Sequence, residues 1–516
     1  MSATAARRRS KEETAANRGA PRARHSHPPS REELRQQVER QQREIENLRD
    51  QLAEREKQIA DAEKQIADLE RQLALRQRNS TNSSKPPSSD GLAGEQRLRG
   101  RKDKSKRKPG GQPGHAGCHR RLVPLAEVSA IEVLLPKQCG HCERNLPQEP
   151  GKVTTQGEPR RHQVTEVPPV KARITEYQFP NVVCGHCGKA TRMPLPEEIA
   201  GQFGPQLTAL IAYWTVVCRL PRRLVEAILA DVLGIEISLG STQKAWEEVS
   251  QAVEQPVAQL QGQLPQQAVL NVDETGWRTN GDKRWIWALV ASQFVFYTVA
   301  ANRNTEVLVS LLGAIFRGIL CSDRYSVYLK YHSGKMQLCW AHLKRALQGI
   351  LDHPQSLEAK RFARDALAQY ARLFRLWWKF RAGLIDRPQL IARSKRIKSK
   401  FRSLAVAYWN SCDREVANLA NALGGHFERL FTFLEEPGVE PTNNSVERAL
   451  RTAVQWRKIS FGNRSTQGEI AVGRLLTVTQ TCRMQRRHVL GYLTTAVICH
   501  RRRTSAPFFL SPTPTP

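Results

Sequence analysis

The sequence predicts a multidomain α+β protein, and three observations carry that prediction. Near the N-terminus apolar residues recur every seven positions. Two CGHC tetrapeptides follow, and the second half of the chain contains short apolar runs in the order β-β-β-α-β. A heptad helix, a small cysteine module and a domain of strands and helices are therefore expected in one chain. Its 516 residues are enough for more than one core.

The charge balance indicates a polyanionic partner. Lys and Arg outnumber Asp and Glu by 80 to 49, which gives a net charge of +31. Nucleic acid is the first partner to expect, because each neutralised phosphate releases counterions. The longest apolar runs are about half as long as a bilayer span requires, and the N-terminus lacks the apolar core of a signal peptide. We therefore expect no membrane partner, a cytoplasmic location and reduced or metal-bound cysteines.

Residues 1–29 are basic and are predicted to be disordered, whereas residues 30–78 are predicted to form a leucine-zipper coiled coil. The a positions are apolar in six successive heptads, namely Val38, Ile45, Leu52, Ile59, Ile66 and Leu73. Gln41, Arg55 and Arg76 weaken the d positions. A solvated single helix is the alternative, but the unbroken a positions favour a coiled coil that forms a homodimer or a higher oligomer.

Residues 79–122 read as a basic linker rich in Pro, Gly and Ser. A run of charge is usually only solvated, but here it is predicted to follow DNA phosphates. The basic residues that we expect to contact DNA are Arg101, Lys102, Lys104, Lys106, Arg107 and Lys108.

Residues 123–200 are predicted to form a zinc-binding domain. The expected ligands of one structural Zn²⁺ are Cys139, Cys142, Cys184 and Cys187, which form two C-x2-C knuckles. CGHC also occurs in disulfide isomerases, but the spacing of the two pairs leaves no room for two thioredoxin-like domains.

Residues 201–264 are predicted to form three helices. Gly234 is expected to end the second helix, and Ser238 or Ser241 to cap the third. Helix, glycine turn and capped helix resemble a helix-turn-helix. An ordinary helical hairpin is the alternative.

Residues 265–500 contain three carboxylates that together suggest a metal site. Asp273 lies in or at the end of the first apolar run, Asp323 lies just past the fourth, and Glu447 lies one turn inside a helix capped by Thr442, Asn443 or Asn444. Each of these carboxylates taken alone is typical of a turn or cap residue. Together they could hold two divalent cations, and such a pair supports cutting and joining of DNA strands.

A helical insertion is expected at about 354–436, between the second and third carboxylates. Arg448 and Arg451 follow Glu447 at helical spacing, so both are predicted to contact phosphates. Exposed Glu-Arg pairs are common, but the asparagines before the helix and the Gly-Asn-Arg-Ser turn after it favour the functional interpretation. Residues 501–516 are predicted to form a loose tail.

With these residues the chain resembles the DDE transposases of bacterial insertion sequences, specifically the IS-66 family. The motifs that carry the resemblance occur in one order, namely NSSKPPSSDG, GGQPGHAG, the two knuckles, VDETGW, CSDRYSVY, CWAHLKRAL, PTNNSVERALR and STQGEIAVGRLLTVTQTCR. The second knuckle lies far from the first, and the Pro-rich tail has no counterpart. Neither departure involves the carboxylates.

The resemblance implies a ribonuclease-H-like α/β catalytic domain with a helical insertion, and a metal-binding catalytic triad of Asp273, Asp323 and Glu447. Mg²⁺ is the expected ion, and Mn²⁺ can substitute because both accept octahedral oxygen ligands. The implied partners are the DNA of the element ends and the target DNA, and helper proteins encoded by the same element are a further candidate. The expected location is the bacterial nucleoid.

Three functions are consistent with these sequence features. The leading one is a transposase that hydrolyses the 3′ ends of its element and joins them to target DNA. A non-catalytic or domesticated DNA-binding regulator is disfavoured, because a pure binder has no use for clustered negative charge beside DNA. A structure-selective nuclease of the same fold would share the site without strand transfer.

Overall fold

The computed structural model describes residues 30–83, 121–199 and 201–510. The chain divides into two compact units, one up to Arg78 and one from Asn79 onward. The predicted disordered segment 1–29, most of the predicted basic linker and the last six residues of the predicted tail lie outside the described residues.

The described residues of the first unit form one helix, α1, over Arg31–Gln77. It begins with a capping box: the Ser30 N–H donates to the Glu33 carboxylate at 2.8 Å, and the Ser30 hydroxyl accepts from the Glu33 N–H at 3.3 Å. Along α1 the Leu, Ile and Val side chains of the heptad pattern are between 47% and 64% exposed. The helix on its own therefore leaves its apolar stripe in water.

Residues 121–199 are mostly irregular. Their regular elements are a two-stranded antiparallel sheet of β1, Val182–Val183, and β2, Ala190–Thr191, and short 3₁₀ turns. None of the residues in this range is buried. The segment therefore has no hydrophobic core of its own.

Four helices follow, which are α2 (Pro205–Val216), α3 (Arg222–Leu233), α4 (Leu239–Ala252) and α5 (Glu254–Gln263). Gly234 ends α3 in the left-handed conformation at φ 63°, as predicted. Ser238 caps α4 by accepting from the Ser241 N–H at 3.2 Å. The predicted number of three helices is wrong, because α5 is a separate helix. It restarts after Val253, where Pro256 in its first turn lacks the N–H that a continuous helix would need.

A mixed five-stranded sheet forms the centre of the second unit. Its strands are β3 (Val269–Thr279), β4 (Asp282–Val290), β5 (Val295–Ala300), β6 (Ile319–Ser322) and β7 (Met336–Leu338). Their order is β5-β4-β3-β6-β7. The first three strands form an antiparallel meander, and β6 and β7 extend it in parallel. The mixed α+β character predicted from the sequence is therefore confirmed.

Two short helices connect the later strands: α6, Thr305–Leu312, precedes β6, and α7, Ser326–Tyr331, precedes β7. The chain then becomes helical. The next helices are α8 (Trp340–Asp352), α9 (Leu357–Arg381), α10 (Arg387–Ala407), α11 (Arg414–Gly425) and α12 (Thr432–Glu435). The last four occupy the segment predicted as a helical insertion.

Three helices complete the unit, which are α13 (Asn444–Ser460), α14 (Thr466–Met484) and α15 (Val489–Arg501). α14 covers the edge strand β5. The N–H groups of Val295 and Tyr297 donate to the hydroxyls of Thr481 and Thr477 at 3.2 and 2.9 Å. These hydroxyls satisfy backbone N–H groups of the edge strand, which could otherwise pair with a strand of another chain. In the part of the chain that the structure describes, no helix is both long and apolar enough to cross a membrane.

Candidate active site

Parallel strand pairing brings two of the predicted carboxylates together. β3 and β6 pair with Asn271 opposite Cys321. Two residues further along this register, Asp273 of β3 comes opposite Asp323, which directly follows β6. Residues two apart on a strand share a face, and neighbouring strands lie about 5 Å apart. The two aspartates therefore occupy adjacent positions on one face of the sheet.

The start of α13 is tied to the same part of the sheet. The side-chain N–H of Asn443 donates to the Val272 carbonyl at 2.9 Å, and its backbone N–H donates to Cys339 Sγ at 3.1 Å. Glu447 lies one turn further on, with its N–H donating to the Asn443 carbonyl at 3.2 Å. The predicted side-chain cap is wrong. Asn443 occupies the N-cap position without capping a helical N–H, because its amide reaches across to β3.

The three carboxylates act on one another through their charges. Burial raises the pKa of Asp273 well above its ordinary value, and the charges of Glu274, Asp323 and Glu447 raise it further. The Glu274 N–H, which donates to Asp273 Oδ1 at 3.0 Å, has the opposite effect. A divalent cation would relieve this repulsion, and carboxylate oxygens are the donors that Mg²⁺ prefers. The residues present therefore fit such an ion.

The triad is not gathered as tightly as one shared ion would require. Among the described residues, the oxygens of Asp273, Asp323 and Glu447 do not form a group that lies within 4.8 Å throughout. A pair of ions, each held by some of the carboxylates, tolerates a wider spacing than a single ion bound by all three.

Arginines surround Asp323. Burial raises the pKa of this carboxyl, whereas the Tyr325 N–H, 2.9 Å from Oδ1, lowers it. The charges of Arg303, Arg324 and Arg345 also lower it. A phosphate that approached the aspartates would therefore meet positive charge.

A buried ion pair lies behind Asp273 on the opposite face of β3. The Glu274 side chain has no solvent exposure and accepts from Arg303 Nε and from the Tyr328 hydroxyl. Burial raises the pKa of Glu274 to about 7, although the charge of Arg303 and its hydrogen bond oppose this. The Arg303 guanidinium also lies 3.8 Å from the centroid of the Tyr325 ring. The sequence pattern did not predict this pair, although an Asp-Glu doublet on a strand must place one carboxylate on each face.

Glu447 also belongs to a second group of potential ligands. Ligand atoms of Cys339, His342 and Glu447 all lie within 4.8 Å of one another, and His342 Nδ1 is 3.7 Å from Glu447 Oε1. Arg345 Nη2 lies 3.4 Å from the same oxygen. Burial and the charges of Arg345 and Arg324 lower the pKa of His342 to about 3, so the imidazole is neutral at pH 7. The segment CWAHLKR could have predicted this group, because His342 and Arg345 lie three residues apart on α8 and share a face.

The two CGHC segments have the same backbone geometry. In each, the N–H of the first cysteine, Cys139 or Cys184, donates to the carbonyl five residues later, and the N–H four residues later donates back, all at 2.9 Å. Glu143 and Gly188 occupy the equivalent left-handed position, with φ of 58° and 69°. Backbone hydrogen bonds within each turn lower the pKa of Cys139 and of Cys184. Both turns therefore stabilise thiolates, as metal knuckles must.

The structure does not bring the two knuckles together. Among the described residues, the sulfurs of Cys139, Cys142, Cys184 and Cys187 do not form one group within 4.8 Å. A single zinc site built from all four stays a prediction.

The predicted DNA contacts divide into two sets. Arg448 and Arg451 are exposed on α13, but the arginine that contacts Glu447 is Arg345 of α8. The six predicted contacts of the linker lie outside the described residues, namely Arg101, Lys102, Lys104, Lys106, Arg107 and Lys108.

Comparison with known families places the chain among transposases. Residues 200–470, which include the sheet and all three carboxylates, match the family model described as the transposase IS66 family. That match covers more than half of the chain, and the chain belongs to this family. Residues 26–121 match a family of unknown function (DUF6444). This second match spans α1 and the basic linker.

Two proteins of Sinorhizobium fredii are similar to the chain. The uncharacterized protein y4jO is 28% identical over 160 residues, which are 30% of this chain and 45% of y4jO. The uncharacterized protein y4qI is 24% identical over 419 residues, which are 74% of this chain and 73% of y4qI. The chain thus spans less than half of the first relative and nearly three quarters of the second.

Proposed function

We propose that the protein is a DDE transposase that cleaves DNA at the ends of an insertion sequence and joins the 3′ ends to target DNA. The observation that carries this proposal is the β3–β6 register, which makes Asp273 and Asp323 neighbours on one face. Asn443 ties the helix that contains Glu447 to the same strand. Membership of the transposase IS66 family supports the same function.

The sheet supports a ribonuclease-H-like fold. An antiparallel meander of β3, β4 and β5, extended by the parallel strands β6 and β7, is consistent with that fold. The helices after β7 separate the second and third carboxylates in the chain, and α13 returns the third to the sheet. The catalytic domain proposed for residues 265–500 therefore contains all three proposed ligands.

Asp273, Asp323 and Glu447 would hold Mg²⁺ or Mn²⁺ through carboxylate oxygens. When bound, the metal supplies Lewis-acid activation of a water or a sugar hydroxyl and charge stabilisation at phosphorus. Arg324 and Arg345 act on the substrate side, since their charges already act on Asp323 and on His342. These arginines would hold the DNA backbone near the aspartates, because guanidinium groups match phosphate geometry.

Two further parts of the proposal concern the N-terminal half of the chain. The four knuckle cysteines would bind one structural Zn²⁺, which a segment without buried residues needs for a defined fold. The exposed apolar stripe of α1 would pair two chains, as transposition requires if two element ends are held in one complex.

The catalytic proposal is tested by cleavage of DNA that flanks the protein's own gene. Asp273→Asn, Asp323→Asn and Glu447→Gln should each abolish Mg²⁺-dependent cleavage and strand transfer, because each removes a metal ligand. Gel-shift affinity should stay close to that of the parent, because no phosphate contact is lost. Asp282→Asn is the matched control, since Asp282 begins β4 with a side chain that is 72% exposed.

Mg²⁺-dependent cleavage that persists in any of the three triad variants would contradict the assignment. Cleavage by the parent without strand transfer would instead identify a nuclease. DNA binding without either activity would identify a regulator.

A further inference from the structure

A cavity of about 410 Å³ lies between the helices α2–α4 and the C-terminal end of α13. Its walls include Arg219 and Arg222, which flank the turn between α2 and α3, and Trp246 of α4. Trp456 of α13 and Arg464 of the following loop close the opposite side. Three arginines thus line it, and none of the described lining residues is acidic.

Several donors in this cavity lack acceptors. Arg219 Nε, Arg222 Nε and Trp246 Nε1 are buried, and within the described chain none of them has a hydrogen-bond partner. The Trp246 side chain is almost completely enclosed, with 3% exposure. Arg219 adopts a left-handed backbone at φ 60°, which is costly for a residue with a side chain. Unpaired buried donors destabilise a fold, so this arrangement is better explained by a ligand that accepts from them.

The positive charge around the cavity favours an anionic ligand. Ser465 and Gly468, at the start of the 19-residue helix α14, also line the cavity, and Ser465 Oγ accepts from the Gly468 N–H at 3.2 Å. A helix N-terminus adds partial positive charge to that of the arginines. Burial lowers the pKa of Arg222, and the nearby charge of Glu247 raises it. Glu247 does not line the cavity.

We propose that this cavity binds a backbone phosphate of DNA. The inference rests on the proposed function and adds a second contact point for the same substrate. The ligand is a phosphate and not a stacked base, because Trp246 and Trp456 are 3% and 6% exposed and offer no open ring face. Arginine forks and backbone N–H groups are the usual partners of a DNA phosphate.

The length of α13 sets the distance between this phosphate and the scissile one. Glu447 and Trp456 lie nine residues apart on α13, which corresponds to about 14 Å along the helix. A DNA strand rises about 3.4 Å per nucleotide. The bound phosphate should therefore lie within a few nucleotides of the cleaved bond.

The first test measures binding of the full chain to a duplex of arbitrary sequence without Mg²⁺, between about 50 and 200 mM salt. Each phosphate contact contributes about 0.9 to the slope of log affinity against log salt concentration. Arg222→Gln and Arg219→Gln should each reduce the slope by about that amount and weaken binding about fivefold at 0.15 M salt. Arg222→Lys keeps the charge and should keep most of the slope, so it separates lost contact from lost fold.

Arg223→Gln is the matched control, because Arg223 is the next residue on α3, is exposed, and does not line the cavity. Its slope should equal that of the parent. An unchanged slope in Arg222→Gln, or an equal loss in Arg223→Gln, would overturn the proposal. Because this binding assay requires no cleavage, its outcome does not depend on whether the catalytic assignment of Asp273, Asp323 and Glu447 is correct.

The second test locates the phosphate. Single neutral methylphosphonates are placed along a cleaved element end. One substitution within a few nucleotides of the cleaved bond should weaken binding by the parent and have no further effect on Arg222→Gln, because coupled contacts are not additive. If every substitution weakens both proteins equally, the cavity does not hold DNA.

Inorganic phosphate separates DNA from a free anion. If it raises the Tm of the parent but not that of Arg222→Gln, while the DNA slope is the same for both, the cavity is a small-anion site and the DNA assignment is wrong.

Discussion

At the residue scale, the buried pair of Glu274 and Arg303 supports the strand that contains Asp273. Glu274 has no solvent exposure, so its carboxylate depends on Arg303 and on the Tyr328 hydroxyl. Arg303→Met should lower the free energy of unfolding by about 1–3 kcal/mol, because it leaves the buried Glu274 carboxyl without its partner. Glu274→Gln combined with Arg303→Met should cost less than Arg303→Met alone. Chemical denaturation of these variants and of Glu274→Gln measures the costs, and a double-variant cost equal to the sum of the two single costs would show that the pair is not coupled.

The same pair predicts a pH dependence. Burial raises the pKa of Glu274 to about 7 in the folded protein, above its ordinary value of 4.5, despite the opposing effect of Arg303. Its stabilising contribution is therefore complete below about pH 4.5 and is lost as pH rises to 7. In Arg303→Met the pKa of Glu274 in the folded protein is higher still, because Arg303 no longer lowers it. The stability of this variant therefore continues to fall above pH 7.

The stability gap between the parent and Arg303→Met should therefore widen above pH 7, by up to about 1.4 kcal/mol per pH unit. Unfolding curves without added Mg²⁺ at pH 6, 7 and 8 measure the gap. The stability of the double variant itself should not follow this titration, because that variant lacks the Glu274 carboxyl. A gap that stays constant for the single variant would show that Glu274 does not titrate in this range.

Sequence patterns predicted where Asp273, Asp323 and Glu447 lie on their strands and helix, but not what surrounds them. The strand positions of Asp273 and Asp323 could be predicted because apolar runs are local features of the chain. The contacts of Arg345 with Glu447 and of Arg303 with Glu274 join residues 102 and 29 positions apart. The first pair depends on how α8 and α13 pack and the second on how the loop after β5 lies against β3, and no local periodicity encodes either.

At the element scale, the loop after α13 is held against the β3–β4 hairpin. Asn463 donates its N–H to the Arg278 carbonyl at 2.9 Å, and its own carbonyl accepts from the Asn280 N–H at 2.8 Å. Gly462 has a φ of 106°, and a Cβ there would lie 2.2 Å from the Arg278 carbonyl oxygen. Only glycine allows this approach.

Gly462→Ala should therefore destabilise the protein more than Gly281→Ala. Gly281 has a comparable φ of 88°, but a Cβ at this position would meet no atom within 4 Å beyond its chain neighbours. Its substitution therefore costs only the backbone strain, about 1 kcal/mol or more. Differential scanning calorimetry of the two variants isolates the steric clash. Equal Tm values would show that the loop can move away from the hairpin.

The proposed zinc module gives a second prediction at this scale. The full chain should contain about one zinc per chain, and Cys184→Ser should lose it, because a four-thiolate site rarely survives without one ligand. Chelation should make residues 121–199 sensitive to protease and leave the sheet intact, since this segment has no buried residues. Cys412→Ser is the control, because Cys412 is exposed and outside the knuckles. Zinc content that is unchanged in Cys184→Ser would remove the site.

Elements with strong local signals were predicted well, and short elements were not. The capped α4 and the glycine-terminated α3 follow from residues within a single turn. The six-residue helix α7 was not predicted, because so short an element is stabilised by packing, such as that of the buried Tyr328. The separation of α5 from α4 depended on one proline that a periodic pattern does not register.

At the scale of the whole molecule, transposition requires two element ends in one complex. The basic composition and the proposed phosphate cavity would bind DNA, but one chain has one set of the proposed catalytic carboxylates. The 47 residues of α1 form a helix about 70 Å long with its apolar stripe in solvent. A stripe of this length normally buries itself against another helix.

Ile59→Asp combined with Ile66→Asp should therefore abolish dimerisation, because both residues are a positions and like charges would face one another in the seam. Ala53→Asp combined with Ala60→Asp is the control, since these b positions lie off the seam and add the same charge. Sedimentation of the full chain should give monomers for the first variant and the parent's oligomer for the second. Paired-end complexes should be lost with the dimer while single-end binding persists. If the seam variant sediments like the parent, α1 is not the dimerisation element, and its apolar stripe must pack against a different protein.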